Sequence, residues 1–391
     1  MVKDKTDLLS LSLSEMDRFL AGLGLEGYRA SQIKRWIFRE GVTAFDKMSN
    51  LSKKVRVLLE ESSFLSRLKI EKILLSKDGA KKYIFNVGKE NEKMWDRNVP
   101  AYLPAGRQVD RRGFRSTELT ASLTPLKGFS GRNFIESVLI PDKNRVTLCI
   151  STQSGCSRGC KFCFTGKNGL FRNLTSSEIL NQILEVKRDI GENLKISNLV
   201  IMGMGEPLDN FENVKKAAEI MVDRECLDFA TRRVTLSTSG VIPGIKDLMA
   251  SGLNINLAVS LNASSDEKRN ALIPVNRAFP LKDLIGAIKN YPLKKRGSIT
   301  FEYILFDRIN DSLEDAENLV KLLRGIKAKI NLLNFNPFPG SEYSDSPHER
   351  ILEFQNFLRS KKITATLRKS RGIDILAACG QLGGTTVLSH K

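Results

Sequence analysis

Between residues 146 and 334 the sequence alternates six times between a short apolar run and an amphipathic segment. The predicted strands cover residues 146–151, 198–203, 233–238, 255–261, 299–305 and 328–334. The first long helix is predicted to begin at Thr175-Ser-Ser-Glu178, because threonine followed three residues later by glutamate forms a capping box. Such regular alternation predicts an α/β fold with a parallel sheet, either doubly wound or closed into a barrel.

The residue types that follow the predicted strands are unusual. They are a cysteine-rich loop and the sequences Gly-Met-Gly-Glu-Pro, Ser-Thr-Ser-Gly, Ser-Leu-Asn and Asn-Phe-Asn-Pro-Phe-Pro-Gly. A (β/α) barrel carries its active site at the carboxyl ends of its strands. We therefore expect a partial (β/α)6 barrel, similar to an incomplete TIM barrel, with the functional site at this edge.

Three of the six cysteines lie within eight residues, at Cys156, Cys160 and Cys163. Their C-x3-C-x2-C spacing on a short loop lets three thiols converge on one metal cluster. A zinc site needs four ligands, and the only histidines, His348 and His390, lie far away near the C-terminus. A four-iron, four-sulfur cluster held by three thiolates leaves one iron open for a substrate or cofactor. The loop therefore predicts a [4Fe-4S] cluster, and three unrelated buried cysteines are the alternative.

The chain has 391 residues and a net charge of +18, from 62 Lys and Arg against 44 Asp and Glu. This excess of cations favours a polyanionic partner, and generic solubility is the alternative explanation. No apolar run approaches the roughly 20 residues that a membrane helix requires. The N-terminus lacks a secretion signal, and the cysteine pattern suits a reducing compartment, so we expect a cytoplasmic protein.

Two smaller parts are expected before the barrel. Residues 1–66 are expected to form a small helical domain, with one helix around residues 30–37 and a second that begins at Ser49–Asn50. The outer faces of these helices are basic, which suits contact with RNA phosphates or a solvated surface. Their outward cations are predicted to be Lys34, Arg35, Arg39, Lys53, Lys54 and Arg56.

Residues 67–140 are expected to form an antiparallel extension of the barrel. Two alternating strands flank Lys77-Asp78-Gly79 between residues 68 and 87, and Asp-Gly is a strong hairpin signal. Residues from about 89 to 131 hold three prolines and a basic cluster without periodicity, which predicts a disordered insertion. A strand resumes over residues 134–140, and residues 141–391 are assigned to the barrel and a C-terminal loop.

The cysteine loop after the first strand resembles the signature of radical S-adenosylmethionine (SAM) enzymes, in which SAM binds the open iron. Longer motifs resemble one family in particular, the RlmN-type dual-specificity adenine methyltransferases. The matching motifs are Ile135-Glu-Ser-Val-Leu-Ile-Pro141, Thr147-Leu-Cys149, the cysteine loop, Met202-Gly-Met-Gly-Glu-Pro207, Arg232-Arg-Val-Thr-Leu-Ser-Thr-Ser-Gly240, Phe335-Asn-Pro-Phe-Pro-Gly340 and Ala378-Cys-Gly-Gln-Leu382. The resemblance extends from about Tyr28 to Leu382 and is interrupted only by the insertion.

The resemblance implies the cofactors and their sites. The three cysteines of the loop would hold the [4Fe-4S] cluster, and two molecules of SAM would be used per turnover. SAM would contact the strand ends at Gly205, Glu206, Ser237, Ser260, Leu261, Asn262 and Asn336. A carboxylate such as Glu206 suits the ammonium group of SAM, which needs an acceptor in a site of low dielectric. Asn262 stands where many family members have histidine.

The resemblance also implies methylation of carbon 2 of adenine in 23S ribosomal RNA and in certain transfer RNAs. Cys379 would take a methyl group from one SAM as a thioether, and a 5′-deoxyadenosyl radical from a second SAM would remove hydrogen from that methyl. The resulting carbon radical would add to the base and link protein to RNA. Glu136 would then remove the proton from carbon 2, and Cys149 would attack Cys379 to release the product and form a disulfide.

Several partners follow from the same resemblance. An electron donor such as flavodoxin or ferredoxin would reduce the cluster, and the chain is expected to act as a monomer. The basic stretch Arg368-Lys-Ser-Arg371 lies just before Cys379 in the sequence, where it could hold phosphates near the target base or form a solvated turn.

Three other functions stay open on the sequence alone. Methylation of carbon 8 of adenine, as in related antibiotic-resistance enzymes, is not distinguished by these residues. A glycyl-radical-activating enzyme shares the cysteine loop but needs neither Cys149, Cys379 nor the charge of +18. A non-catalytic RNA-binding assembly factor explains the charge but leaves the cluster ligands without a role.

Overall fold

The computed structural model describes residues 5–88, 123–125, 133–293, 297–384 and 386–388. Except for residues 123–125, the insertion expected at about 89–131 lies outside the described residues, so its disorder stays a prediction. One cluster of buried apolar side chains runs from Leu8 in the N-terminal region to Leu382 near the C-terminus. The division of the chain at residues 66 and 140 also stays a prediction.

The N-terminal region is helical, as predicted. Its elements are β1 (Thr6–Asp7), α1 (Leu13–Gly22), α2 (Gly27–Lys34), α3 (Lys53–Ser62) and β2 (Ser63–Phe64). β1 and β2 pair in parallel and so join the start of the region to its end. The predicted start of α3 at Ser49–Asn50 is too early, because the hydroxyl of Ser52 caps the helix by accepting from the N–H of Val55 at 3.3 Å.

The prediction that Lys34 points outwards is wrong. Its side chain is only 9% exposed, and its ammonium nitrogen lies 2.5 Å from Asp17 Oδ1. The face of α2 that carries Lys34 is therefore covered by α1, the helix that carries Asp17. Arg35, Lys53 and Lys54 are exposed, as predicted.

The antiparallel extension is confirmed. Its first strands are β3 (Lys69–Leu75) and β4 (Lys81–Asn86), and Gly79 between them has a φ of +88°, which glycine adopts without strain. The next elements are β5 (Leu123–Pro125), β6 (Phe134–Asp142) and β7 (Arg145–Ile150). β4 pairs antiparallel with β6, and β6 pairs antiparallel with β7, so the extension is continuous with the main sheet.

The rest of the chain alternates between strands and helices. The further strands are β8 (Gln153–Gly155), β9 (Leu170–Asn173), β10 (Asn198–Ile201), β11 (Val234–Thr238), β12 (Asn256–Ser260), β13 (Ile299–Leu305), β14 (Ala328–Asn334), β15 (Thr364–Arg368) and β16 (Thr386–Leu388). The helices are α4 (Phe164–Lys167), α5 (Ser176–Ile190), α6 (Phe211–Val222), α7 (Ile242–Ala250), α8 (Asp266–Leu272), α9 (Leu281–Lys289), α10 (Leu313–Leu322) and α11 (His348–Ser360). Within the described ranges, none of these helices is long and apolar enough to cross a lipid bilayer.

The main sheet has the strand order β3-β4-β6-β7-β10-β11-β12-β13-β14-β15. All neighbours from β7 to β15 are parallel, and their order follows the chain without reversal. A doubly wound sheet would reverse its order, so the barrel alternative is the one observed. In the described part of the chain β3 and β15 do not pair with each other, so the barrel is partial, as predicted.

The parallel part of the sheet contains one strand more than predicted. The six predicted strands correspond to β7 and β10 to β14, and β15 is an additional seventh. Within β15 only Ala365 is buried, so its sequence lacks the apolar run by which the other strands were recognised.

Helix α5 holds the chain in place at the carboxyl end of β7, where the predicted site begins. The predicted capping box is present: Thr175 Oγ1 accepts from the N–H of Glu178 at 3.2 Å, and Glu178 Oε2 accepts from the N–H of Thr175 at 2.9 Å. In the middle of the helix, Gln182 Oε1 accepts from the N–H of Ser151 at 2.8 Å, and Gln182 Nε2 donates to the carbonyl of Ser151 at 2.9 Å. Because Ser151 directly follows β7, the helix holds the chain where it leaves the sheet.

Thr175→Ala should lower the free energy of unfolding by about 1 kcal/mol, because it leaves the N–H of Glu178 without its capping acceptor. Urea unfolding followed by circular dichroism measures the change. Thr43→Ala is the control, since Thr43 is exposed and lies outside any helix. Equal destabilisation by both substitutions would contradict a specific role for the cap.

Candidate active site

The cysteine loop is held in place by its own backbone and by one aromatic contact. The N–H of Cys156 donates to the carbonyl of Gly169 at 2.8 Å, and the N–H of Cys163 donates to the carbonyl of Cys160 at 3.1 Å. Phe162 is buried, with its ring centroid 5.4 Å from that of the aromatic residue Phe306 after β13. The loop is therefore packed at the carboxyl edge of the sheet, as predicted.

The three thiols of the loop face one another. Burial, together with the charges of Cys163 and Glu206, raises the pKa of Cys160 to about 12. Burial likewise raises the pKa of Cys156, with added contributions from Cys160, Cys163 and Glu206. These mutual electrostatic effects indicate that the three thiols and the carboxylate of Glu206 lie close to one another.

Glu206 is a buried carboxylate at the end of β10. Its Oε2 accepts from both the N–H and the hydroxyl of Ser239 at 2.7 Å, and its Oε1 accepts from the N–H of Leu208 at 3.1 Å. Burial raises its pKa, and the bonds from Ser239 oppose that rise. Gly205 before it has a φ of +103°, and a Cβ there would lie 2.6 Å from the side chain of Gln153. Only glycine fits, so this bend aims the carboxylate.

Arg269 is a buried cation close to the thiol of Cys160. Its side chain is fully buried and donates to the carbonyls of Ser239, Ser260 and Leu261 at 2.6, 3.2 and 3.1 Å. Burial lowers its pKa to about 10, and the charge of Cys160 opposes this shift. Among the described residues no carboxylate lies within 4.0 Å of this guanidinium. A buried cation without a carboxylate favours an anionic group nearby.

These residues fit a thiolate-held iron–sulfur cluster and SAM. Within the described ranges, no three His, Cys, Asp or Glu side chains are close enough to hold a single metal ion. A multi-iron cluster is held differently, with one thiolate on each iron, and iron replaces the protons that crowded thiols retain. The carboxylate of Glu206 suits the ammonium group of an amino acid moiety such as that of SAM, and the buried guanidinium of Arg269 holds the carbonyls of the strand ends beside it.

The other predicted SAM contacts lie along the same edge of the sheet. Ser237 is half-buried on β11, and Ser260 and Leu261 present their carbonyls to the guanidinium described above. Asn262 has a φ of +54°, and its Oδ1 accepts from the N–H of Ile304 at 2.8 Å, so this oxygen is bound to β13. The contact of these residues with SAM stays a prediction.

Glu136 lies on β6, 1% exposed, two residues from the pair formed by Val138 and Cys149. Its Oε2 accepts from the N–H of Gly383 at 3.1 Å and lies 3.4 Å from the ammonium of Lys82. Its Oε1 is buried and has no hydrogen-bond partner among the residues that the structure describes. Burial raises the pKa of this carboxyl group, and Lys82 partly opposes the rise.

Cys149 lies on β7 between β6 and β10. Its side chain is almost completely buried, and burial raises its pKa to about 12. A backbone hydrogen bond from Met202, at the end of β10, opposes this shift. Cys149 is thus a protonated thiol at rest, close to the carboxyl ends of the strands.

Cys379 lies on a C-terminal loop that docks on the cysteine loop. The N–H of Phe164 donates to the carbonyl of Gly380 at 2.7 Å, and Thr165 Oγ1 donates to the carbonyl of Leu382 at 2.6 Å. Asn336 Nδ2 donates to the carbonyl of Cys379 at 3.2 Å. The predicted residues Asn336 and Cys379 are therefore in contact.

The thiol of Cys379 is open to solvent, although protein surrounds it on several sides. This surrounding protein raises its pKa, and the charges of Cys163, Glu302 and Cys149 act in the same direction. Cys149 and Cys379, which are expected to react with each other, therefore lie close enough for the charge of one to act on the other, and Cys163 lies close as well. The structure brings together residues separated by more than 200 positions.

Some residues of this edge were not singled out in the sequence. They are Lys82, Gln153, Ser239 and Arg269. Ser239 belongs to the Ser-Thr-Ser-Gly motif, where its position next to the predicted Ser237 was a usable signal. Nothing in the local sequence marks Lys82 or Arg269, because their burial depends on strands and loops distant in the chain.

Replacing Cys156, Cys160 or Cys163 by alanine should abolish iron retention and RNA methylation, because each thiolate holds one iron. Iron content after anaerobic reconstitution measures this, with about four irons expected per wild-type chain. Cys226→Ala is the control, because Cys226 is a buried core residue distant from the loop in sequence. A ligand variant with a full cluster and normal turnover would refute the assignment.

Comparison with known proteins agrees with this site. Residues 6–65 match the family described as "Ribosomal RNA large subunit methyltransferase N-terminal domain", and residues 150–323 match the radical SAM superfamily. The dual-specificity RNA methyltransferase RlmN of Pelobacter propionicus is 41% identical over 381 residues, which cover 97% of this chain and 96% of that protein. The protein of the same name from Syntrophotalea carbinolica is 43% identical over 386 residues, which cover 98% of this chain and 91% of that protein.

A solved structure extends this similarity to the fold. The crystal structure of a radical SAM methyltransferase from Sphaerobacter thermophilus matches with a TM-score of 0.79 at 36% identity, and the match covers 96% of this chain and 99% of that chain. The shared fold includes the N-terminal region as well as the barrel, because almost the whole of both chains is covered. With relatives above 40% identity over nearly its full length, the chain belongs to the RlmN family of radical SAM-dependent RNA methyltransferases.

Proposed function

We propose that the chain methylates carbon 2 of adenine in 23S ribosomal RNA and in transfer RNA, with Cys379 as the carrier of the methyl group. The observation that carries the proposal is the docking of the loop that holds Cys379 on the cysteine loop, through the bond from the N–H of Phe164 to the carbonyl of Gly380 at 2.7 Å and the bond from Thr165 Oγ1 to the carbonyl of Leu382 at 2.6 Å. The family relatives are dual-specificity RNA methyltransferases, which supports two classes of RNA substrate.

Cys156, Cys160 and Cys163 would hold the [4Fe-4S] cluster, and Glu206 would accept from the ammonium group of SAM. When bound, the cluster and two molecules of SAM per turnover supply a methyl group and the one-electron chemistry that an electron-poor ring carbon requires. The chain then has to carry the methyl group, move one proton and release the product.

Cys379 is suited to carry the methyl group. Its thiol is open to solvent, so a methyl donor can reach the sulfur, whereas the thiol of Cys149 is buried. Its backbone is held by Asn336 and by the contact of Gly380 with Phe164, which fixes the sulfur beside the cysteine loop. A carrier fixed in this way presents its methyl group to the reaction without a diffusional step.

Glu136 is suited to remove the proton from carbon 2. Its Oε2 is bound by Gly383 and lies beside Lys82, while its Oε1 is free to accept a proton. A carboxyl group with a raised pKa is a stronger base than one in water, provided that the pH lies above that pKa. Activity should therefore be lost as the pH falls through the raised pKa of Glu136.

Cys149 is suited to break the bond between the enzyme and the RNA. Its sulfur would lose a proton and attack the sulfur of Cys379, so that an S–S bond forms, the S–C bond breaks and the electron pair of that bond passes to the departing carbon, which takes up a proton to complete the methyl group. The step requires the two Cα atoms to come within about 7 Å of each other. It also requires deprotonation of a buried thiol whose pKa is raised, because the thiolate is the attacking form.

Exposed cations suit the binding of RNA. Lys53 and Lys54 begin α3, and Arg368 and Lys369 lie at the carboxyl end of β15, on the same edge of the sheet as the site. Such side chains neutralise phosphates and position an RNA without reading its sequence. We further propose that the chain acts as a monomer in the cytoplasm and receives electrons from a flavodoxin or ferredoxin.

The variants Cys379→Ala and Cys149→Ala should fail in different ways. Cys379→Ala removes the carrier, so the protein should stay unmethylated and the RNA free and unmodified. Cys149→Ala keeps the carrier but lacks the attacking sulfur, so protein and RNA should stay covalently joined. Denaturing gel electrophoresis with labelled RNA, together with mass spectrometry of the peptide that contains Cys379, distinguishes the two outcomes.

The conservative variant Glu136→Gln serves as the matched control, because it loses the base but retains both cysteines. It should also accumulate a protein–RNA adduct, since release follows proton removal. A Cys149→Ala protein that releases methylated RNA at the normal rate, without any adduct, would refute the proposed mechanism.

Charge reversal of Lys53 and Lys54 to glutamate should weaken RNA binding and flatten its dependence on salt. The logarithmic slope should fall by roughly 0.9 for each duplex phosphate that the variant no longer neutralises. Binding assays at several salt concentrations measure this slope. Lys321→Glu on α10 is the control, because Lys321 is also exposed and already lies beside Glu317. An unchanged slope in the double variant would place the RNA-binding surface elsewhere.

A further inference from the structure

The turn between β3 and β4 clamps the segment that leads to Cys379. Asp78 Oδ2 accepts from the N–H of Gly372 at 3.0 Å. In the opposite direction, Asp374 accepts from the hydroxyl of Ser76 at 2.5 Å and from the N–H of Lys77 at 3.0 Å. Each segment thus supplies a carboxylate to the other, which fixes their relative position.

The clamped segment contains one residue in an unfavourable backbone conformation, next to a short helical turn with its own backbone hydrogen bonds. Leu376 has a φ of +51°, a conformation that is unfavourable for a residue with a branched side chain. Leu376 lies three residues before Cys379, so its conformation sets the direction in which the loop continues. Contacts from outside the segment must therefore stabilise it.

Lys82 supplies such a contact from β4. Its side chain is 1% exposed, and its Nζ donates to the carbonyl of Leu376 at 3.2 Å. The same ammonium lies 3.4 Å from Glu136 Oε2, which also accepts from the N–H of Gly383. One buried ion pair therefore touches the loop on both sides of Cys379.

The ion pair contacts only one of the two carboxylate oxygens of Glu136. Lys82 and Gly383 both approach Oε2, and Oε1 is left buried without a partner. Among the described residues, Lys82 on β4 is the charged group that acts on this carboxyl, and the neighbouring thiols of β7 and the loop, Cys149 and Cys379, are protonated at rest.

We propose that Lys82 is a positioning residue, which holds Glu136 and the loop that carries Cys379 in one arrangement. It would act through two contacts, the carbonyl of Leu376 and Oε2 of Glu136, and it would leave Oε1 to accept the proton. The inference rests on the proposed function for the role of Glu136, but the anchoring of the loop is independent of the reaction.

The anchoring is tested by hydrogen exchange on the full-length holoenzyme without RNA. Lys82→Met keeps the length of the side chain but removes its charge and its donors. Exchange in peptides that cover residues 372–384 should become faster by about tenfold, the effect of removing one charge-assisted hydrogen bond. Lys81→Met is the matched control, because Lys81 is the preceding residue on β4 and pairs instead with Asp189 of α5. It should leave exchange in the loop unchanged.

The effect on Glu136 is tested by the pH dependence of RNA methylation. Lys82 lowers the pKa of Glu136, so its removal raises that pKa. The acidic limb of the profile, where activity falls as the pH falls, should therefore move to higher pH by about one unit or more. Lys82→Arg retains the charge and should leave this limb near its wild-type position. A variant that merely loosened the fold would lower activity at every pH without moving the limb.

The proposal would be overturned if the Lys82→Met variant showed the wild-type rate of hydrogen exchange in the loop and an acidic limb at the wild-type pH. If Lys82→Met does not fold, the double variant Lys82→Met/Glu136→Gln, which buries no unpaired charge, replaces it in the exchange experiment. Rapid exchange in its loop supports the anchor, and wild-type exchange overturns it. Should wild-type enzyme modify no RNA, the proposed function fails, and the exchange result still decides whether Lys82 anchors the loop.

Discussion

The active site depends on the docking of the C-terminal loop against the cysteine loop. The bond from Phe164 to Gly380 and the bond from Thr165 to Leu382 join segments that lie more than 200 residues apart in the chain. A Cβ on Gly380 would lie 2.9 Å from the carbonyl oxygen of Phe162, so the close approach requires glycine. Without this docking the loop that carries Cys379 would not lie against the cysteine loop, and the proposed carrier would be separated from the rest of the site.

The winding of the sheet makes this docking possible. Because the parallel strands follow one another in a single direction, the loops after β7, β10, β11 and β12 meet at one edge. There they bring the three thiols, Glu206 and Arg269 into one space. The antiparallel extension adds Glu136, the proposed base, because the pairing of β6 with β7 sets this residue beside the end of the first parallel strand.

The sequence predicted the parts of the site that are local. The strands, the capping box at Thr175 and the cysteine loop each carry a short pattern, and a chain of ordered motifs identified the family. Lys34 was mispredicted, because helical periodicity cannot show that Asp17 on another helix covers it. Lys82 and Arg269 were not predicted as site residues for the same reason. A buried cation is recognised only by the groups around it, which here come from distant parts of the chain.

Nucleoside analysis after turnover tests the central claim most directly. Reconstituted enzyme would be incubated under reducing conditions with SAM and with ribosomal or transfer RNA, and the digested nucleosides separated by liquid chromatography and mass spectrometry. The account predicts 2-methyladenosine in both RNAs, with none formed by the Cys379→Ala variant. The appearance of 8-methyladenosine instead, or of 2-methyladenosine with Cys379→Ala, would contradict it.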